Sequence, residues 1–448
     1  MGYSRTAMND TAVWAPCIPW VGGLLALTCL LFALRAGKRK RLIDNLPTSK
    51  TTGVFIGLVE LKGTAESAKP LLSYLAGQPC VQYQWRVEEH WSRTVTETYT
   101  DSDGKSQTRT RHESGWKTVA GGGETILFYL QDDCGVILVR PEGAKIEPAT
   151  ILEETCGPTD ALYYGKGPDL AVADSDYRRR FIETGLPVHA ALYVMGQARE
   201  REDVVAPEIA ADPAAPIFLI STRTEEQVSS GYRWGFWGIA FLGLILATAG
   251  WVVRDLMLNG TSPANLPIYL AAAAGYLFVA AAGWTWMVYN SLVDLRQRVR
   301  QGWSQMDVQL KRRHDLIPNL VETVTGLRDY ERNLQTELAG LRTQLEATPP
   351  GVEGPDYRAC GGILQAIRER YPELTAQESF LNLQKNLVDT EQRIALARGY
   401  FNEIATFYNT RLEVVPDRFV AALGGLKPQA LMAANDFERA PVEVSVAA

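Results

Sequence analysis

An apolar run at residues 266–288 passes straight into NSLVDLRQRVRQGWSQMDVQLKRRHDLIPNLVETVTGL, with no helix-stop signal at the join. This predicts one continuous helix that leaves a membrane and becomes the first long arm of a helical assembly. Beyond the run, apolar residues recur at Leu292, Leu295, Val299, Trp303, Met306, Leu310, Ile317, Leu320, Val324 and Leu327, then at Leu334, Leu338, Leu341 and Leu345. Steps of three and four sustained this long describe a seam for a second helix. An unbroken arm over 289–345 would reach roughly 80 Å. Pro318 interrupts it, because its missing N–H cannot bond the carbonyl of His314, so a kink is expected there. A chain built this way holds something at a membrane surface.

Two further runs are long enough for a span of about 20 residues, at 13–35 and 234–254. Pro16 and Pro19 are tolerable in a first helical turn. Arg5 is the only early cation and no small-residue cleavage site follows, so the first run is expected to be a retained anchor. In the third run, Tyr269 near one end and Trp284, Trp286 and Tyr289 near the other sit where a membrane interface favours aromatics. Its competing reading is a buried core helix. Cations set the direction. Arg35, Lys38, Arg39, Lys40 and Arg41 follow the first run, and Arg296, Arg298, Arg300, Lys311, Arg312 and Arg313 follow the third. With three passes this puts residues 1–12 outside and both large domains inside, at the inner (cytoplasmic) membrane.

The middle domain, 46–232, reads as β-rich. Val81, Tyr83, Trp85 and Val87 alternate with polar residues, and short runs at 126–130, 136–139, 191–194 and 217–220 are bounded by Gly or Pro. Between Trp91 and Trp116 lies a polar stretch around Asp103-Gly104, a dipeptide suited to a tight hairpin turn. It is read either as a solvated ribbon or as a protruding partner-binding hairpin. Arg178, Arg179 and Arg180 are expected either to solvate a turn and pair with Asp174 and Asp176, or to touch anionic headgroups. Blocks across this segment, among them PLLSYLAGQPCVQYQWRVEEHW, CGVILVRPEGAKIEP and YRRRFIETGLPVHAALYVMGQA, resemble the GIDE (beside-a-membrane) domain of a mitochondrial membrane-anchored ubiquitin ligase. The resemblance implies a β-rich module held between membrane helices. The ligase's RING cysteine/histidine array is absent, so ubiquitin transfer does not carry over.

In the last domain, 289–448, a turn is expected over 347–356, a shorter helix over 357–370, and a second long helix from about Glu373. The latter carries Phe380, Leu383, Leu387, Ile394, Ala397, Phe401, Ile404 and Tyr408 on one stripe and should run antiparallel to the first. The tail from Pro416 should fold back along the bundle or stay partly mobile. The blocks WSQMDVQLKRRHDLIPNLVETV, YPEL, LQKNLVDTEQRIALARGYFNE and ATFYN closely resemble the LemA family. That resemblance implies a membrane protein with a long antiparallel helical domain. This chain differs in placing two extra spans and the GIDE-type segment first. The expected class is therefore an α+β membrane protein with three transmembrane helices.

Asp307, Lys311, His314, Asp315, Asn319 and Glu322 lie at helical spacing around Pro318. His314, Asp315 and Glu322 suggest a metal or acid/base site, but adjacent residues point about 100° apart on a helix. Structural contacts are favoured instead, with Lys311 or Arg313 meeting Asp389 and Glu391, and with Asn386 and Asn409 satisfying backbone groups. The six cysteines are scattered without a CxxC pair, which offers neither a disulfide framework nor a zinc set and suits reduced thiols. A net charge of -6 gives no basic field for nucleic acid.

No catalytic, cofactor or metal residues are assigned, and no nucleotide-loop, nucleophile-elbow or HExxH motif occurs. The leading expectation is a non-enzymatic scaffold or adaptor with membrane lipids, further copies of itself and a protein as partners. Self-association is motivated by the seam and by the small residues AAAAG and AAAG in the third run. The alternative is an accessory or regulator of a membrane protease or envelope-stress system, motivated by the LemA resemblance alone. An intrinsic enzyme would require a polar pocket in 46–232, for instance around His189 or His90.

Overall fold

A computed structural model describes residues 14–100, 106–201, 206–213, 215–259, 265–325 and 378–432. Two compact units emerge, one β-rich (residues 48–225) and one helical (residues up to 47 and from 226 onward).

The helical unit contains α1 (Ile18–Asp44), α3 (Glu225–Asn259), α4 (Leu266–Thr325), α5 (Glu378–Glu413) and α6 (Asp417–Leu423). Three of these helices are long and apolar enough to cross a membrane. Pro16 and Pro19 sit in the opening turns of the first, where their missing N–H groups cost nothing. α4 is a single helix of 60 residues, so the apolar run and the arm are one element, continuous through Pro318. Leu292, Leu295, Val299, Met306 and Leu310 are buried, as their spacing predicts. Their partners on α5 are Ile394, Ala397, Phe401, Ile404 and Tyr408, all buried. Leu412, late in α5, packs with the Val288 and Leu292 cluster of α4, whereas Gly302 and Trp303, further along α4, meet the earlier residue Phe401. The two helices therefore run antiparallel. The turn at 347–356, the helix at 357–370 and the side chains of His314, Asp315, Asn319 and Glu322 lie outside the described residues.

The β unit holds β1 (Thr48–Ser49), β2 (Gly57–Glu66), β3 (Leu71–Leu72), β4 (Pro79–Thr100), β5 (Ser106–Thr125), β6 (Phe128–Gln131), β7 (Val136–Val139), β8 (Lys145–Glu147), β9 (Ala149–Cys156), β10 (Ser175–Pro187), β11 (Ala191–Glu200), β12 (Pro207–Ala210) and β13 (Leu219–Ser221), with the short helix α2 (Ala161–Gly165). β2, β6, β7, β12 and β11 pair in succession, and β11 pairs back to β2, so the ladder closes on itself. Closure removes the free edges of those strands. It wraps a core of Val59, Leu61, Phe128, Leu130, Val194 and Ile209.

The second sheet runs β3-β4-β10-β9, with β5 on β4. β4 pairs with β10 as far as Trp91, and beyond that β4 and β5 pair only with each other. The 92–114 stretch is thus a two-stranded ribbon, with charged Arg93 and Glu113 paired across it at 2.8 Å. Its Asp103-Gly104 tip lies outside the described residues.

Candidate functional site

The β unit is distinguished by ionisable side chains buried in its sheets. Register places Thr48 on β1 directly opposite Glu60 on β2. The Thr48 hydroxyl donates to Glu60 Oε1 at 2.7 Å and the Tyr193 hydroxyl on β11 donates to Oε2 at 2.9 Å. Lys62, two residues along the same strand face, lies 3.4 Å from Glu60 and 2.7 Å from Glu225. Thr48 begins the β unit and Glu225 ends it, so this cluster clasps both of the unit's ends. Burial pushes the Glu60 carboxyl up to about 7, against the two hydroxyl donors and Lys62, which favour its charged form.

The second cluster sits where β4 and β10 pair. Arg179 lies opposite Glu89, and both side chains are fully buried. Arg179 donates from Nε and Nη2 to Glu89 Oε2 at 3.2 and 3.1 Å, and from Nη1 to the carbonyl of Tyr163 at 2.9 Å. Its guanidinium also lies 4.0 Å from the Tyr163 ring centroid, and Ser175 donates to the other Glu89 oxygen. Gly167 permits this packing, because a Cβ there would come within 2.6 Å of Arg179 Nη1. On the same strand, buried Glu183 accepts from the Ser73 hydroxyl and from the Leu75 and Ala76 N–H groups at 2.8–2.9 Å. Each carboxylate thus fastens a loop or helix to the sheet.

The turn expected for the arginine triplet is instead part of β10, and exposed Arg178 on it acts electrostatically on Asp176. Arg179 and Arg180 are on a strand, not a turn. Arg180 pairs with Glu88 and covers the Trp116 ring at 4.8 Å, and Asp176 is engaged by His90 at 2.6 Å. His189 is exposed and lies 2.9 Å from Glu66, so each of these histidines contacts a carboxylate near the surface. Asp132, Asp133 and Cys134 offer three grouped ligand atoms. However, Asp132 accepts from the Thr51 N–H and hydroxyl and from the Cys134 and Gly135 N–H groups, while Asp133 pairs with Lys50. Burial works to raise the Asp132 carboxyl, but those donors outweigh it and hold it below the usual range. The group is a turn staple.

In the helical unit, Arg41 at the end of α1 donates twice to Asp417 of α6, both at 2.8 Å, and lies 6.0 Å from the Trp284 ring. α1 and α3 cross at Gly22 and Gly250, where a Cβ on Gly22 would stand 2.8 Å from the Leu246 carbonyl. Beside this crossing is an apolar cavity of about 350 Å³ lined by Trp14, Cys17, Leu25, Leu246 and Val253.

Against known proteins, the LemA family profile matches residues 302–446. The profile described as E3 Ubiquitin ligase, GIDE, matches residues 96–252. The chain joins a LemA-family segment to a GIDE-type one. Protein LemA of Metamycoplasma hominis is 23% identical over 177 residues, covering 38% of this chain and 81% of that protein. Magnetosome protein MamQ of Magnetospirillum gryphiswaldense is 26% identical over 194 residues, 36% of this chain and 71% of that protein. Magnetosome protein MamQ 2 of Paramagnetospirillum magneticum is 24% identical over 200 residues, 38% of this chain and 72% of that protein.

In the LemA-type segment, Asn409 acts as expected. It donates to the Gln429 carbonyl and accepts from the Gln429 N–H, both at 2.8 Å. Asn402 treats Met432 the same way, which spacing did not reveal. The tail therefore folds back along α5 at least to Met432. Asn386 is exposed, and Asp389 pairs with Arg393 one turn along its own helix at 3.0 Å, while the Arg313 side chain lies outside the described residues. An i,i+4 pair is local and needs no partner helix in register. In the β unit the missed residues are Glu60, Glu89 and Glu183. Their one sequence signal is the Glu88-Glu89 pair, which antiparallel pairing sets against Arg180 and Arg179.

Proposed function

We propose that this chain is a membrane-anchored, non-enzymatic scaffold. The GIDE-type and LemA-type domains stand on the cytoplasmic side, the N-terminus lies outside, and copies associate within the membrane. The observation that carries this reading is α4, a single helix in which an apolar span-length run and the LemA seam share one axis. Whatever the α4–α5 pair holds is thereby fixed to the bilayer without a hinge. Cations flanking the first and third apolar runs support the orientation, since lysine and arginine are retained on the inner side. The family relationship supports a membrane-associated, non-enzymatic protein, and the buried carboxylates support it too, because they are committed to holding loops.

Self-association is motivated by the small residues of the third run. A Cβ at Gly283 would meet Leu34 of α1 at 2.8 Å, so that stretch packs within the chain. Nothing lies within 4 Å of a Cβ at Gly275, and Ala271 and Ala274 beside it are exposed. That open face would let a second α4 approach closely. Mass measurement of the full chain in nanodiscs or mild detergent is expected to give a dimer or higher species, which Gly275→Leu converts to monomer. A strictly monomeric wild type would remove self-association from the proposal. Crosslinking in native membranes followed by mass spectrometry should recover protein partners. Recovery of a membrane protease among them would favour an accessory role.

A further inference from the structure

The short helix α6 points to a second membrane contact, separate from the three apolar helices. Its Val420 and Ala421 are buried against Val288 and Leu292 of α4, and its Asp417 is neutralised by the two hydrogen bonds from Arg41. Arg41 in turn lies over Trp284, so α6 sits level with the end of the apolar run of α4. The other face of α6 is apolar and uncovered. Phe419 is 63% and Leu423 86% exposed, four residues apart on one face, and Val415 just ahead is 62% exposed. On the neighbouring turn of α4, Trp286 and Tyr289 are exposed as well, and Gly424 packs against the Tyr289 ring. Contiguous large apolar side chains are rarely left to water.

We propose that α6 lies in the inner membrane interface, with Val415, Phe419 and Leu423 seated at the boundary between headgroups and acyl chains. The occupant of this face is lipid, for three reasons. The face continues the apolar surface of α4 at the depth of its aromatic residues, where tryptophan and tyrosine mark an interface. Arg418 and Lys427, both exposed, flank it with the cations that anionic headgroups attract. The single carboxylate of α6 is already paired with Arg41. Helices that rest in the interface plane combine these two features, apolar anchors and a basic flank. This inference rests on the reading that the apolar helices cross the membrane. It adds that the C-terminal part of the LemA-type segment is itself pinned to the bilayer, closing the far end of α5 against the surface.

The test is photo-crosslinking with p-benzoylphenylalanine placed at one position at a time in the full chain, in native membranes. Leu423 and Phe419 are surface positions, so replacement leaves the packed face intact. Leu277, exposed in the apolar run, reports on the span, and Gln392, exposed on α5 and roughly 30 Å along the helix from its α6 end, reports on solvent. Phospholipid adducts at Leu277 and at Leu423 or Phe419, with none at Gln392, are expected. Moreover, Phe419→Ser combined with Leu423→Ser should reduce the lipid adduct formed from position 415 severalfold. Lipid adducts at Leu277 with only protein adducts at Leu423 and Phe419 would overturn the inference in favour of a protein cover. Absence of lipid adducts at all positions, Leu277 included, would overturn the spanning reading and this inference together.

Discussion

The two units solve the same packing problem with opposite materials. The α4–α5 seam is built from Leu, Val, Ile, Ala, Phe and Tyr, with contacts repeated turn by turn. The sheets of the β unit instead bury Glu60, Glu89, Arg179, Glu183 and Glu208 among their apolar residues. An apolar seam stabilises in proportion to area and tolerates sliding or repacking. A buried charge tolerates only the geometry that satisfies it, because an unpaired ion in a low-dielectric interior costs several kcal/mol. The β unit is therefore held in one arrangement by polar complementarity, and the α4–α5 seam by extent of contact.

The largest effect expected from breaking this contrast is at Arg179. Arg179→Ala strands Glu89 and frees the Tyr163 loop, and should destabilise the β unit by about 3–5 kcal/mol in urea unfolding. Replacing both members, with Arg179→Met and Glu89→Leu, should cost far less, which separates the penalty of an orphaned charge from the worth of the pair. In the seam, Ile404→Ala removes a fully buried side chain and should cost about 3 kcal/mol through lost burial and a cavity. Because no charge is stranded there, Ile404→Val should recover most of that loss.

Glu60 gives the comparison a pH axis. Its folded-state carboxyl is raised to about 7 from an ordinary 4.5. Between those values the folded β unit holds a proton that the unfolded chain has released. Stability from this group is therefore complete below about pH 4.5 and is lost as pH rises through about 7, a decline of up to about 3 kcal/mol. Glu60→Gln should abolish that decline while leaving the seam's unfolding unchanged, read by unfolding midpoints across the pH range. A wild-type β unit that became steadily more stable over the same range would contradict the assignment. The smallest effect lies at Tyr408, whose buried hydroxyl has no hydrogen-bond partner among the described residues. Tyr408→Phe should leave stability unchanged or raise it by about 1 kcal/mol, whereas a loss of that size would mean the hydroxyl is satisfied in solution.

Much of this contrast was visible in the chain itself, and the invisible part has one cause. Apolar periodicity carries over directly into structure, so Val81, Val87, Leu292, Leu295, Ile404 and Tyr408 are buried where their spacing predicts. Strand continuation beyond Trp91 was also legible, since alternating threonines suit a solvated ribbon. Arg179 was misread because the nearby aspartates Asp174 and Asp176 suggest a turn. Only the pairing of β10 with β4 reveals that its partner is Glu89, some ninety positions away. Glu60 was hidden likewise, its partners Thr48 and Tyr193 coming from two other strands. α6 was missed because seven residues are too few to show a period, and its exposed apolar face has meaning only beside Trp284 and Val288.

The central claim is that the apolar helices cross a membrane with both large domains on the cytoplasmic side. It is tested most directly by a membrane-impermeant maleimide applied to intact spheroplasts carrying Gln392→Cys on α5, or Tyr129→Cys on β6, in a background lacking reactive native thiols. Both positions are exposed. The account predicts no labelling until the membrane is permeabilised, then full labelling at both sites. Labelling of either site in intact spheroplasts would place that domain outside and contradict the account.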